Sequence, residues 1–397
     1  MLSQVTLLFL PPIQLWWYFL DHEGMGMKVA IDVTAAVTQR AGVARYTREL
    51  VSALAQLPDG PELQPFAVTV QKITPLDEHL PVACVHQSVN VRYGDMLVRH
   101  VLRRPARGPW DGADVYHAEV LAYPPVRNMP VVSVVHDLAY YVYPQHQTRL
   151  YGTYLRHMTP VFLARAQRIV AVSAATKQDL MERSRVPDHK ICVVYPGIAK
   201  VFRQPVTPEH LNAVRDRYRL PSTFLLSVGT LEPRKNLQGT LQAYRLFRQR
   251  HSDAPPLLLV GATGWRLDER SLLGGADDHV RRLGYVPDED LAALYTACGA
   301  FVYPSFYEGF GLPVVEAMAL GAPTITSRVS SLPEVAGDAA VLVDPQQPEE
   351  IATAMERILS DQALRSHLRR AGMQRAQDFS YNQCAMGMMN VYREAAG

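Results

Sequence analysis

The chain has little that would commit it to metal or redox chemistry. Its four cysteines, Cys84, Cys192, Cys298 and Cys384, stand far apart, with no C-x-x-C pair among them. They read as scattered free thiols of a reducing compartment, and neither a zinc site nor a disulfide framework follows from their spacing. No G-x-G-x-x-G follows the first expected strand, which argues against a nicotinamide enzyme, and there is no G-x-x-x-x-G-K-[ST] phosphate loop. Net charge is scant at +2, too little for a nucleic-acid binder working through bulk charge. Repeats of solenoid period and low-complexity tracts are also missing.

What is there is a globular composition, 48% hydrophobic and 20% charged, over 397 residues. That length suits two domains better than one core. Strand and helix patterns alternate. "KVAIDV" (28–33) precedes the helical "GVARYTRELVSALAQL"; "VVSVVHD" (131–137) is a continuous apolar run; "RIVAVS" (168–173) ends on Ser173, a good cap for "AATKQDLMERS"; "KICVVYPG" (190–197) closes the first half. The pattern restarts with "TFLLSVGT" (223–230), "LLLVGA" (257–262), "VRRLGYV" (280–286) and "AFVYPS" (300–305). The expectation is α/β, two doubly wound parallel domains with ligands beyond the carboxyl ends of the strands. The boundaries expected are 27–197, 198–380 and a closing helix over 381–397.

Two stretches at strand ends carry candidate chemistry. In "FVYPSFYEGFGLPVVEAMALGAPTITS" (301–327), Pro313 starts a helix and Gly321 stops it. Glu308 then lies in the loop before the helix and Glu316 in its first turn. Gly309 and Gly311, beside Phe310 and Leu312, would let the backbone approach a ligand, with the N–H groups of 311–314 (Pro313 excepted) forming an anion site. The carboxylates would flank a phosphate and accept from hydroxyls on either side, as a nucleotide sugar would require. They could also simply favour the helix N-terminus. In "SVGTLEPRKNLQGTLQAY", Arg234 and Lys235 precede Asn236, a plausible cap; two cations there oppose the helix dipole unless an anion relieves them.

"VGTLEPRKNL", the block from "GYVPDEDLAAL" through "FYEGFGLPVVEAMALGAPTITS", and "SSLPEVAGDAAVLVDP" together resemble the C-terminal domain of the family-4 retaining glycosyltransferases, over most of residues 223–345. "GVARYTREL" and "HDLAYYVYP" are consistent with that family's first domain. The resemblance implies a GT-B fold, two facing Rossmann-like domains with the active site in the cleft. It implies that Glu308 contacts the donor sugar, Glu316 the ribose hydroxyls and Lys235 the diphosphate, with His136 beside the sugar. It further implies front-face transfer from a nucleotide diphosphate sugar. The family often has an arginine where this chain has Thr230, so Arg234 could share the phosphate role. Gly42 would bring backbone N–H groups near the phosphate, while Arg45 and Tyr46 could face the acceptor or pack. Within the family the blocks are most similar to bacterial surface-polysaccharide mannosyltransferases and rhamnosyltransferases, which points to GDP-mannose, or else a UDP- or dTDP-sugar.

Asp288 and Asp290 form a D-x-D triplet, but at a helix start, where acids are expected for dipole reasons; no metal or other cofactor is expected. Residues 1–26 are either a start placed upstream of the native one or an interfacial segment bearing Trp16, Trp17 and Tyr18. The segment 91–108, with Arg99, Arg103 and Arg104 among apolar residues, reads as a solvated helix face or as a patch for anionic headgroups. A cytoplasmic enzyme, free or peripheral on the inner membrane face and acting on a glycan or polyprenyl-diphosphate-linked acceptor, is the resulting expectation.

Overall fold

In the computed structural model, the residues described are 26–38, 42–69, 80, 82–88, 107–119, 126–146, 149–262 and 279–397. The expectations for 1–25 and for most of the basic run 91–108 lie outside them.

Thirteen strands are described, in two sheets. The first holds β1 (Lys28–Asp32), β2 (Glu62–Thr69), β3 (Val85–Ser88), β4 (Val115–Ala118), β5 (Val131–Val135), β6 (Arg168–Ala171) and β7 (Ile191–Val193), in the order β3-β2-β1-β4-β5-β6-β7. The second holds β8 (Leu225–Val228), β9 (Leu257–Val260), β10 (Val280–Gly284), β11 (Ala300–Tyr303), β12 (Thr324–Ser327) and β13 (Ala340–Val343), in the order β10-β9-β8-β11-β12-β13. Every pairing is parallel. The strand order reverses between β1 and β4 and again between β8 and β11. Doubly wound sheets take ligands at such points.

Local chemistry explains the elements. β5 is buried along its whole length, so its continuous valine pattern needs no polar face. The helix Gly42–Gln56 buries Ala44, Thr47, Leu50, Val51 and Leu54 at helical spacing. Ser173 is extended and accepts from the Thr176 N–H at 3.0 Å, capping the helix Ala174–Ser184. Asn236 caps the helix Leu237–Arg250 from a left-handed conformation, and its amide also donates to the carbonyls of Pro304 and Pro345. β2, β3, β4, β12 and β13 were not among the expected strands: β2 carries Pro65 in its interior, β4 is four residues long with His117 inside it, and β12 and β13 are four residues each.

The domains pack directly on one another. One apolar cluster runs from Val29 and Leu50 in the first to Val314 and Met318 in the second. The last helix, Tyr381–Ala396, returns to the first domain, against the helix Gly42–Gln56 and strands β4 to β6. Its buried face is Cys384, Ala385, Met388, Met389, Val391, Tyr392 and Ala395. Met386 points to solvent, on the opposite side of the turn. Among the described residues no helix is long and apolar enough to cross a membrane.

Removing residues 381–397 should uncover the surface over β4 to β6 and separate the domains. The expected readout is a lower unfolding midpoint and a larger radius of gyration by X-ray scattering; unchanged values would refute the role given to this helix.

Candidate active site

Both switch points open onto one cleft. From the first domain, β5 delivers His136 and β4 delivers Glu119. His136 Nε2 lies 2.7 Å from Glu119 Oε1, and the other carboxylate oxygen lies 2.7 Å from His117 Nε2. Tyr46 is buried and sets its ring edge against His136 at 4.9 Å between centroids. Gly42 starts the next helix opposite Leu312; a Cβ there would stand 4.0 Å from the Leu312 Cδ1.

From the second domain, Glu308 sits between two cations. Its Oε1 accepts from Lys235 Nζ at 2.7 Å and from the Tyr303 hydroxyl at 2.9 Å; its Oε2 accepts from Arg234 Nη1 at 2.7 Å. Arg234 also donates to the Tyr307 carbonyl and to Glu232. Burial opposes ionisation of Glu308, but Arg234 and Lys235 outweigh it and hold the carboxyl at about 2. Burial lowers Lys235 from its ordinary value, and Glu308 only partly offsets this. The cations were expected to await an external anion; the fold instead neutralises them with Glu308 and Glu232. Gly229, at φ 150°, leaves room for the Lys235 stem: a Cβ there would lie 3.5 Å from its Cε.

Glu316 has a different partner. Arg45, from the first domain, donates to Glu316 Oε1 at 2.5 Å and is also paired with Asp288, while its guanidinium lies over Phe202. Burial pushes the Glu316 carboxyl up, and Arg45 counters this only in part. Arg45 thus ties the two domains together. Asp290 faces away, held by Arg217 and Tyr218. The two aspartates of the triplet therefore have separate cations. Among the described residues no cluster of three or more His, Cys, Asp or Glu side chains is placed to hold a metal ion.

The glycine turn differs in detail from its expectation. Gly309 is pressed against the other domain's backbone: a Cβ there would lie 1.6 Å from the His136 carbonyl oxygen. Its own carbonyl accepts from the Ser173 and Thr176 hydroxyls at 2.6 and 3.1 Å. Its lack of a side chain is demanded by domain contact rather than by a ligand. Gly311 is left-handed at φ 102° and precedes the helix Leu312–Ala319. Of the expected anion-binding N–H groups, that of Val314 is already used, donating to the Gly311 carbonyl at 2.9 Å. The Phe310 ring packs between Tyr195 and Phe379.

Glu119, Tyr303 and Glu232 were missed by sequence reasoning. The signal for Glu119 was present in "VYHAE", where His117 and Glu119 alternate at a strand end and so share a face.

The sequence comparisons agree with this architecture. The model for glycosyl transferases group 1 matches residues 215–375, and that for Glycosyltransferase Family 4 matches residues 40–200. The O-antigen chain mannosyltransferase B of Escherichia coli is 32% identical over 366 residues, spanning 89% of this chain and 96% of that protein. Among solved structures, the sucrose-phosphate synthase of Thermosynechococcus elongatus aligns with a TM-score of 0.73 at 22% identity, over 93% of this chain and 98% of that one. Anabaena HepE in complex with UDP-glucose aligns with a TM-score of 0.71 at 18% identity, over 92% and 99%. These two likenesses concern the fold, which is that of a GT-B enzyme. The chain belongs to the family-4 glycosyltransferases.

Two outcomes follow from the geometry. Gly309→Ala should push the domains apart and lower the unfolding midpoint, whereas Gly321→Ala, close only to Met373, should lower it less. Glu308 titrates near 2 when folded, against an ordinary 4.5. Its contribution, roughly 3 kcal/mol, is therefore fully present above pH 4.5 and is lost as pH falls through 2. Urea unfolding should show stability falling from pH 5 to 2, with part of that slope absent in Glu308→Gln; equal slopes would count against the ion cluster.

Proposed function

We propose that the enzyme transfers mannose from GDP-mannose, with retention at the anomeric carbon, to a glycan or polyprenyl-diphosphate-linked acceptor in bacterial surface-polysaccharide synthesis. The choice of sugar is supported by the likeness, over nearly the whole length, to a protein named as an O-antigen chain mannosyltransferase. The observation that carries donor binding is the buried cluster of Arg234, Lys235 and Glu308 at the β8/β11 switch point, in a cleft shared with His136.

In this reading the donor diphosphate takes over part of the charge of Lys235 and Arg234 that Glu308 holds in its absence. The helix start at Gly311 and Leu312, with the turn at Gly42 opposite, adds backbone N–H groups. Glu316 exchanges Arg45 for ribose hydroxyls, and Glu308 and His136 face the sugar. The bond from C1 to the diphosphate oxygen breaks while the bond from C1 to the acceptor oxygen forms on the same face. The acceptor's proton passes to the departing phosphate oxygen, and the cations stabilise the charge that develops there. No divalent cation is required. The basic and apolar run 91–108 supports an acceptor at an anionic membrane face.

A thermal-shift screen of GDP-mannose, UDP-glucose and dTDP-rhamnose, with and without EDTA, tests the donor. GDP-mannose should give the largest shift, unaffected by EDTA. Lys235→Ala and Glu316→Gln should each weaken its binding by roughly 1.5–3 kcal/mol, about 10- to 150-fold, by calorimetry. Wild-type affinity in both variants would remove the donor-site assignment. Loss of turnover in EDTA, restored by manganese, would overturn the metal-free reading.

A further inference from the structure

The reaction as proposed uses His136 but not the buried groups behind it. These form a continuous line. The Tyr392 hydroxyl, on the last helix, is 2.7 Å from His117 Nδ1; His117 Nε2 is 2.7 Å from Glu119 Oε2; Glu119 Oε1 is 2.7 Å from His136 Nε2. His117, Glu119 and Tyr392 are fully buried, and only the His136 end is partly open. Water therefore cannot serve as the alternative partner for these groups, and each must satisfy the others.

That requirement fixes the protons. Burial opposes ionisation of Glu119, but hydrogen bonds from His117 and His136 outweigh it and hold the carboxyl below its ordinary value. An ionised carboxylate only accepts, so both imidazole nitrogens facing it must donate. In the neutral ring His117 then carries its proton on Nε2, and its Nδ1 accepts from Tyr392. Burial pushes the Tyr392 phenol up, so the phenol keeps the proton that it donates. His136 likewise donates from Nε2. In the neutral ring this leaves Nδ1, which makes no hydrogen bond among the described residues, as the acceptor.

We propose that Glu119 is a positioning residue that fixes His136 as the Nε2–H tautomer, leaving Nδ1 as a hydrogen-bond acceptor for a hydroxyl of the donor sugar, and that His117 and Tyr392 anchor Glu119 from the last helix. The assignment rests on the placement of His136 beside the sugar given above. A sugar hydroxyl can donate or accept. With the proton held on Nε2, Nδ1 can only accept, so the hydroxyl must donate to it; the opposite tautomer would reverse the direction of that bond. The Tyr46 ring edge holds the imidazole plane while Glu119 sets its rotation. The closing helix thereby becomes part of the site: it supplies the hydroxyl at the buried end of the line.

The test is Glu119→Gln, with the same shape but an amide that can donate as well as accept. Histidine-selective 15N labelling and long-range 1H–15N spectra read the tautomer, with the His136 signals assigned by their loss in His136→Gln. The wild type should show the proton on Nε2. Glu119→Gln should show a mixture or the Nδ1–H form. Hydrolysis of GDP-mannose, or of the nucleotide sugar selected by the shift screen, should fall roughly 10²–10³-fold in kcat, with KM changed less than about threefold. Tyr392→Phe should retain the His136 tautomer and lose less than tenfold; it serves as the second variant if Glu119→Gln fails to fold, and an Nδ1–H form of the wild-type ring then decides against the proposal. An unchanged tautomer in folded Glu119→Gln overturns the proposal whatever the activity. A changed tautomer with unaltered turnover upholds the positioning by Glu119 and overturns the assignment of His136 to the sugar.

Discussion

The His136 carbonyl oxygen lies 1.6 Å from where a side chain on residue 309 would begin. That approach sets the register between the domains. With it in place, the Tyr307 hydroxyl accepts from the Leu138 N–H and donates to Asp179, and Ser173 and Thr176 reach the Gly309 carbonyl. Glu334 meanwhile takes the first two N–H groups of the helix Ala174–Ser184 and the Tyr195 hydroxyl. Arg45 and Glu316 form a further contact between the domains. The His136 backbone lies against Gly309 of the second domain, so its position is a property of the paired domains and not of β5 alone.

Charge in the second domain is handled by pairing: Glu308 has Arg234 and Lys235, and Glu316 has Arg45. Burying an isolated carboxylate or ammonium would cost several kcal/mol, and such groups ordinarily neutralise instead. Here the two glutamates end at opposite extremes. Glu308, between two cations, is held near 2; Glu316, with one cation that it shares with Asp288, is pushed up. Two acids eight positions apart in the chain are thus chemically unlike because their neighbours come from different domains.

Much of the architecture was legible from local pattern. Runs such as "VVSVV" and "LLLV" are buried on both faces, and parallel strands read as uninterrupted apolar segments. Caps at Ser173 and Asn236 are local hydrogen bonds and were visible as such. β4 was not, because four residues with an internal histidine carry no periodic signal. The pairing of Arg45 with Glu316 joins positions 271 residues apart and depends on how the domains face each other. The need for glycine at 309 was foreseen, but the neighbour that enforces it, a carbonyl of the other domain, was not. Glu119 stayed hidden for a related reason: its meaning comes from β4 lying beside β5, which places His136 within reach.

The Arg45–Glu316 pair has a thermodynamic consequence for any molecule that enters the cleft. A hydroxyl that takes the Glu316 Oε1 position must displace a guanidinium already seated there, itself lying over Phe202 and shared with Asp288. The free energy of binding is then an exchange term, the new contact less the old one. The reverse exchange is available when the occupant leaves, since the arginine returns to a carboxylate that would otherwise be buried without a cation. A side chain of the opposite domain thus acts as a resident competitor, shortening the stay of whatever is bound and drawing the domains together behind it.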